Sequence, residues 1–127
     1  MIVVDASLLI AHLSDRDAFH AQAVECLLAT AESRLGASTI TIAEVLVTPA
    51  RAGRLQRATD ALDDLGLEEV SLGRDAAPRL AALRAQTGLR LPDCCVLLAV
   101  GDTGADGLIT FDERLASAAN RLGHTLR

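Results

Sequence analysis

The chain has 127 residues, half of them hydrophobic and only 2% aromatic, with a net charge of −5. That length suits one domain spanning residues 1–127 with an aliphatic core. The acidic balance excludes a protein that binds nucleic acid through bulk positive charge, and the scarcity of aromatics argues against recognition by stacked bases.

The opening "MIVVDASLLIAHL" predicts a buried strand over Ile2–Val4, then Asp5, then a helical turn or two. It lacks a basic n-region, so it does not read as a signal peptide. Next, "DAFHAQAVECLLATAE" has helical spacing, with Ala23, Leu27 and Leu28 assigned to one stripe. Arg34–Ala37 reads as a brief strand. Ser38 or Thr39 is then placed to cap the helix of "TITIAEVLVTPA". This helix sets Glu44 among apolar and small side chains with no basic neighbour before Arg51, so Glu44 is expected to be at least partly buried. Pro49 is expected to stop or kink it.

"RLQRATDALDDLG" predicts an amphipathic helix closed by Gly66, and "LEEVSL" a strand. "RDAAPRLAALRAQTG" predicts a helix ending at Gly88. "LPDCCVLLAVGDTG" predicts another, with Pro92 in its first turn. "GLIT" is a strand, "DERLASAANRLG" the final helix, and "HTL" an edge strand. Strands alternating with helices predict an α/β protein with a mainly parallel, buried sheet. The longest apolar run after the opening, "CCVLLAV", is far below the ~20 residues of a membrane span. The cysteines Cys26, Cys94 and Cys95 include no C-x-x-C pair, which argues against a zinc site or disulfide framework. Together these features predict a soluble, cytoplasmic protein with no membrane contact.

In open parallel sheets, ligands bind beyond the carboxyl ends of the strands. Asp5 follows the first strand and Asp112 the last. Asp93 opens an apolar helix and Glu44 lies inside another. If the helix starts share that edge, the four acids converge. Carboxylates crowded together repel, and burial worsens the cost, so a charged cluster calls for a cation. Oxygen ligands without His or Cys favour Mg²⁺ or Mn²⁺, and the chemistry that follows is phosphodiester hydrolysis. Each acid also has a plainer reading. Asp5 and Asp112 are good helix N-caps, and Asp93 favours a positive helix end. Asp102 is nine residues past Asp93 and falls on the opposite side of the helix. His12, His20 and His124 are scattered and read as structural or surface groups.

"VVDASLLIAHL", "TIAEVL", "LPDCCVLLAV" and "LITFDERL" resemble the successive motifs of the PIN-domain family. The nearest likeness is to VapC-type toxins of bacterial toxin–antitoxin pairs. The resemblance covers nearly the whole chain, in order. It implies a compact α/β/α sandwich and a ribonuclease using Mg²⁺ or Mn²⁺. It also implies an RNA substrate, a cognate VapB-like antitoxin and a homodimer. Carried over by position, Asp5, Asp93 and Asp112 are metal ligands, Glu44 completes the catalytic acids, and Ser7 and Thr110 are supporting hydroxyls. One departure is visible: many relatives follow the last acid with a short stretch ending in Phe, where this chain has "DERLASAA".

Arg51, Arg54 and Arg57 form a local basic cluster and are candidates for RNA phosphates, as is Arg90 before "LPD"; Arg114 follows Asp112. Two other readings compete: a PIN-like module that binds without cleaving, and a phosphohydrolase using Asp5 as nucleophile. The latter wants a catalytic lysine, and all twelve basic residues here are arginine.

Overall fold

A computed structural model describes residues 1–127. Four strands, β1 (Ile2–Val4), β2 (Leu35–Ser38), β3 (Leu67–Val70) and β4 (Gly107–Ile109), form one sheet in the order β3-β2-β1-β4. Every pairing is parallel; in one of them Ile2, Val3 and Val4 stand opposite Gly107, Leu108 and Ile109. Successive strand side chains point to opposite faces, so three consecutive apolar residues in β1 can feed two separate cores. Ile2 and Val4 join one core cluster and Val3 the other.

Seven helices cover the two faces. On the first face lie α1 (Ala6–Leu13), α2 (His20–Ala29), α3 (Thr39–Arg51) and α4 (Leu55–Asp64), contributing Leu8, Leu9, Ala23, Leu27, Val45 and Leu62. On the second lie α5 (Ala76–Thr87), α6 (Leu91–Thr103) and α7 (Glu113–Arg121). Here α6 is buried from Cys94 to Val100, and α7 offers Leu115, Ala118 and Ala119. The result is the expected α/β/α sandwich. Leu8, Leu9, Leu108 and Leu115 are fully buried, each contributing about 1.5–3 kcal/mol by leaving water.

The topology positions a site. The chain moves from β1 outward through β2 to β3, then returns to place β4 on the other side of β1. The switch point therefore lies between β1 and β4, and their carboxyl ends carry Asp5 and the Thr110–Asp112 loop. Both ends lead straight into helix starts. Asp5 caps α1 by accepting the Leu8 amide at 3.2 Å, and Asp112 caps α7 by accepting the Arg114 amide at 2.9 Å and the Leu115 amide at 3.2 Å. The capping reading of both residues thus holds alongside their position at the sheet edge.

Four local expectations are corrected. Leu28 is 72% exposed, because it lies about 100° around α2 from the buried Ala23–Leu27 stripe. Helix α3 runs through Pro49 to Arg51; the proline gives up its own amide bond but falls in the last turn, and the helix ends two residues later. The "HTL" segment makes a single parallel bridge, Leu108 to Leu126, rather than a strand. Glu44 is exposed rather than part-buried, since α3 turns Thr41 and Val45 inward instead.

Candidate active site

Asp5 is the buried centre of the site, only 4% exposed. Its carboxylate accepts three hydrogen bonds: from Ser7 Oγ to Oδ1 at 2.7 Å, from the Leu8 amide to Oδ1, and from Thr110 Oγ1 to Oδ2 at 2.5 Å. Burial pushes its pKa up, the three donors pull it down, and the negative charge of Asp112 pushes it up again. The two hydroxyls are themselves held: Ser7 Oγ accepts the Phe111 amide at 2.9 Å, and Thr110 Oγ1 accepts the Asp112 amide at 2.9 Å. Ser7 and Thr110 are therefore turned toward Asp5 and tied to the loop after β4.

Asp93 sits half-buried in the first turn of α6. Burial raises its pKa first; Asp112 and Asp5 raise it further, while Arg90 and Arg114 oppose them. Glu44 behaves alike despite its exposure. Water lost to neighbouring protein raises its pKa most, Asp93 and Asp5 add to the rise, and Arg90 lowers it. The residue as a whole is open to solvent, so this loss of water is partial. Each of the four acids thus enters the electrostatic surroundings of at least one other, and the fold brings all four to one region.

They do not yet close around a point. No three His, Cys, Asp or Glu side chains stand together as a group that could hold a metal ion. Both oxygens of Asp5 accept from hydroxyls, and Oδ1 of Asp112 caps α7. Asp93, Glu44 and Oδ2 of Asp112 carry no hydrogen bond from protein donors and remain available. The donor set consists of carboxylate oxygens alone, which matches a hard divalent cation.

A cavity of about 230 Å³ opens here, lined by Leu89, Arg90, Asp93, Asp112 and Arg114. It shares Leu89 and Arg114 with a second cavity of about 310 Å³, whose other walls are Thr87, Glu113, Ser117 and Arg121. Arg90 lines the first of these cavities. Arg51, Arg54 and Arg57 line neither cavity: they are exposed, and Arg51 lies about 10 Å farther along α3 than Glu44. Ser117 and Arg121 escaped the sequence reading, although they follow Arg114 at the three- and seven-residue spacing of one helix face.

Other polar groups are engaged elsewhere. Asp102 pairs with Arg79 at 2.6 Å, Glu68 with Arg34 at 2.6 Å, and Asp106 with the Met1 ammonium at 2.9 Å. His20 Nδ1 lies 2.8 Å from the Ala11 carbonyl oxygen, on the α1–α2 side of the molecule.

The fold and the site define an α/β protein with an acidic centre at the switch point of a parallel sheet. The chain belongs to the PIN-domain family, a family of nucleases; the sequence model described as PIN domain matches residues 2–121. Among solved structures it is similar to a toxin–antitoxin complex from Klebsiella pneumoniae, at 28% identity over 88% of this chain and 87% of that one, with a TM-score of 0.74. It shares its fold with VapC20 of Mycobacterium tuberculosis, a toxin that cleaves the sarcin–ricin loop. The identity there is 18% over 93% of this chain and 95% of that one, with a TM-score of 0.76. It likewise shares its fold with VapBC2 from Rickettsia felis, solved bound to a DNA fragment from its promoter. That match is 17% identical over 100% of this chain and 98% of that one, with a TM-score of 0.72. No curated protein sequence matches the chain. No helix is long and apolar enough to cross a membrane.

Proposed function

We propose that this chain is a divalent-metal-dependent endoribonuclease, acting as the toxin of a VapBC-type toxin–antitoxin pair. The observation that carries this reading is the placement of Asp5, Asp93, Asp112 and Glu44 at one sheet edge, where burial and mutual repulsion raise the pKa of Asp5, Asp93 and Glu44. Carboxylates held at such a cost are common at functional centres. Asp5, Asp93 and Asp112 are the residues that would hold Mg²⁺ or Mn²⁺, with Glu44 at the rim. When bound, the ion supplies a water acidic enough to attack phosphorus near neutral pH and a charge that stabilises the displacement.

The chain's own residues have distinct parts. Ser7 and Thr110 fix the rotamer of Asp5 and, by donating to both its oxygens, favour its ionised form against the effect of burial. Arg90 and Arg114, which line the cavity beside Asp93 and Asp112, meet the phosphate of the strand and offset the acids' charge. No histidine or lysine is needed as a private base. We further propose that residues 1–127 work as one domain in the cytoplasm, as a homodimer. Its antitoxin would direct a basic segment at the acidic centre, where the field favours a cation.

The deciding experiment compares the parent with Asp5→Asn on a single-stranded RNA. Asparagine keeps the size of the side chain and remains a good N-cap for α1. The parent is expected to cleave in Mg²⁺ or Mn²⁺ and to stop in EDTA, and the variant to be inactive in both. Cleavage by the variant at the parental rate overturns the assignment.

A further inference from the structure

We infer that the second cavity, between the α5–α6 connection and α7, is a phosphate track that carries the RNA strand away from the acids on one side only. The inference deepens the ribonuclease reading and rests on it. Three observations converge. The cavity that holds Asp93 and Asp112 adjoins the second one, the two having Leu89 and Arg114 as common walls. Arg114, Ser117 and Arg121 occupy one face of α7, at intervals of three and four residues, while Leu115, Ala118 and Ala119 face the core. The guanidinium groups of Arg90, Arg114 and Arg121 make no ion pair and no hydrogen bond within the protein; most of the other arginines are free as well, but these three are the ones that line the two cavities.

The placement of Arg114 adds weight. It lies in the first turn of α7, where the helix dipole disfavours a cation, so its position does not serve the helix. From Arg114 to Arg121 the helix rises about 10 Å, so the two arginines are spaced to meet separate phosphates along a strand. The one opposing charge in the cavity wall is Glu113, against two guanidinium groups. The occupant must therefore be anionic, and it must reach the acidic centre at one end; a single strand of RNA satisfies both. A basic antitoxin segment would be repelled along this path.

The test measures binding of a fluorescein-labelled, ten-nucleotide single-stranded RNA to Asp93→Asn protein in EDTA, across a range of salt. The same measurement is made with Arg114→Ala and Arg121→Ala added, and separately with Arg54→Ala and Arg57→Ala added. Each lost phosphate contact lowers the slope of log K against log salt by about 0.7 for a single strand. Removal of Arg114 and Arg121 is expected to lower it by about 1.4, and removal of Arg54 and Arg57 to leave it unchanged. Equal slopes with and without Arg114 and Arg121 overturn the track, as does a loss confined to the Arg54 and Arg57 variant. A polyglutamate peptide of the same length bound equally well with the same arginine dependence overturns RNA as the occupant. Cleavage by the parent is scored separately. Cleavage with an unchanged slope sinks the track and leaves the nuclease standing; an arginine-dependent slope without cleavage keeps the track and sinks the nuclease.

Discussion

Thr110 Oγ1 donates to Asp5 Oδ2 although the two residues stand 105 positions apart in the chain. The same hydroxyl accepts the Asp112 amide, so one side chain ties the first acid of the site to the backbone of the last. Ser7 repeats the arrangement on the other oxygen of Asp5, donating to Oδ1 and accepting the amide of Phe111. Each hydroxyl donates to Asp5 and is polarised from behind by a loop amide, so each amide strengthens the hydroxyl bond in front of it. The register of the Thr110–Asp112 loop against Asp5 is thus held by two hydroxyl groups.

Removing either hydroxyl should therefore disturb both ends. Thr110→Val keeps the side-chain shape but deletes the donor to Asp5 and leaves the Asp112 amide without its partner. Ser7→Ala does the same for the Phe111 amide. Groups that orient a metal-binding side chain typically cost 10–100-fold in metal affinity or activity when lost, and that loss is expected in a titration of cleavage rate with Mn²⁺. Each unpaired amide should also cost about 1–3 kcal/mol, read from urea unfolding. A variant as active and as stable as the parent would show the tether to be idle.

Asp112 has two jobs that substitution can separate. Its Oδ1 caps α7 through the Arg114 and Leu115 amides, and its charge acts on Asp5 and Asp93. Asp112→Asn retains a good cap and removes the charge, so stability should hold while cleavage is lost. Asp112→Ala removes both and should cost a further ~1 kcal/mol of stability. If Asp112→Asn keeps parental activity, the residue is a cap and nothing more.

Much of this was readable from the residues because the strongest local signals are also the ones that build the site. "IVVD" and "LITFD" combine a buried strand with an acid that caps the next helix, so strand end and carboxylate are located together. Glu44 was harder. Its apolar neighbours suggested burial, but periodicity alone does not say which stripe of α3 turns inward. The structure buries Thr41 and Val45, and Glu44 stays open beside Asp93. The α7 face beyond Arg114 was missed for the opposite reason. Arg114, Ser117 and Arg121 look like an ordinary solvated surface until the α5–α6 connection is packed alongside them. The basic run at Arg51, Arg54 and Arg57 was conspicuous as a cluster, yet it spans the turn from α3 into α4 and lines neither cavity beside the acids.

The acidic centre should leave a mark on the stability of the metal-free protein. Asp5, Glu44 and Asp93 have folded-state pKa values raised above their ordinary ones, chiefly by burial. Between neutrality and the unfolded values near 4, the native state takes up protons before the unfolded chain does. The contribution of these three groups therefore grows as pH falls through their raised pKa values, is complete below the unfolded ones, and is lost again as pH rises. Glu68 and Asp106, whose pKa values are lowered by Arg34 and by the Met1 ammonium, oppose this at more acid pH, and His12, whose pKa is lowered by burial and then by His20, opposes it as pH falls from neutrality, so the difference between parent and Asp93→Asn isolates the acids. In EDTA the parent should melt higher at mildly acid pH than at neutral pH, and Asp93→Asn should show a smaller difference. A melting temperature that falls steadily with pH in both proteins would contradict the repulsion.

Relief of the same repulsion gives a test of metal binding that needs no substrate. A cation that binds only the native state stabilises it by RT ln(1 + [L]/Kd), about 2.7 kcal/mol at a hundredfold excess over Kd. Mn²⁺ should therefore raise the melting temperature of the parent in a saturable way, while NaCl at matched ionic strength should not. Asp93→Asn removes an acid with no hydrogen bond from protein donors, so the apo fold should gain rather than lose stability. The Mn²⁺ titration should then move to higher concentration by tenfold or more. Asp102→Asn serves as the control, since Asp102 is paired with Arg79 away from the centre. Its Mn²⁺ midpoint should match the parent's. Equal midpoints in the parent and Asp93→Asn would mean that the ion is held elsewhere, and the four acids would then have to be explained without it.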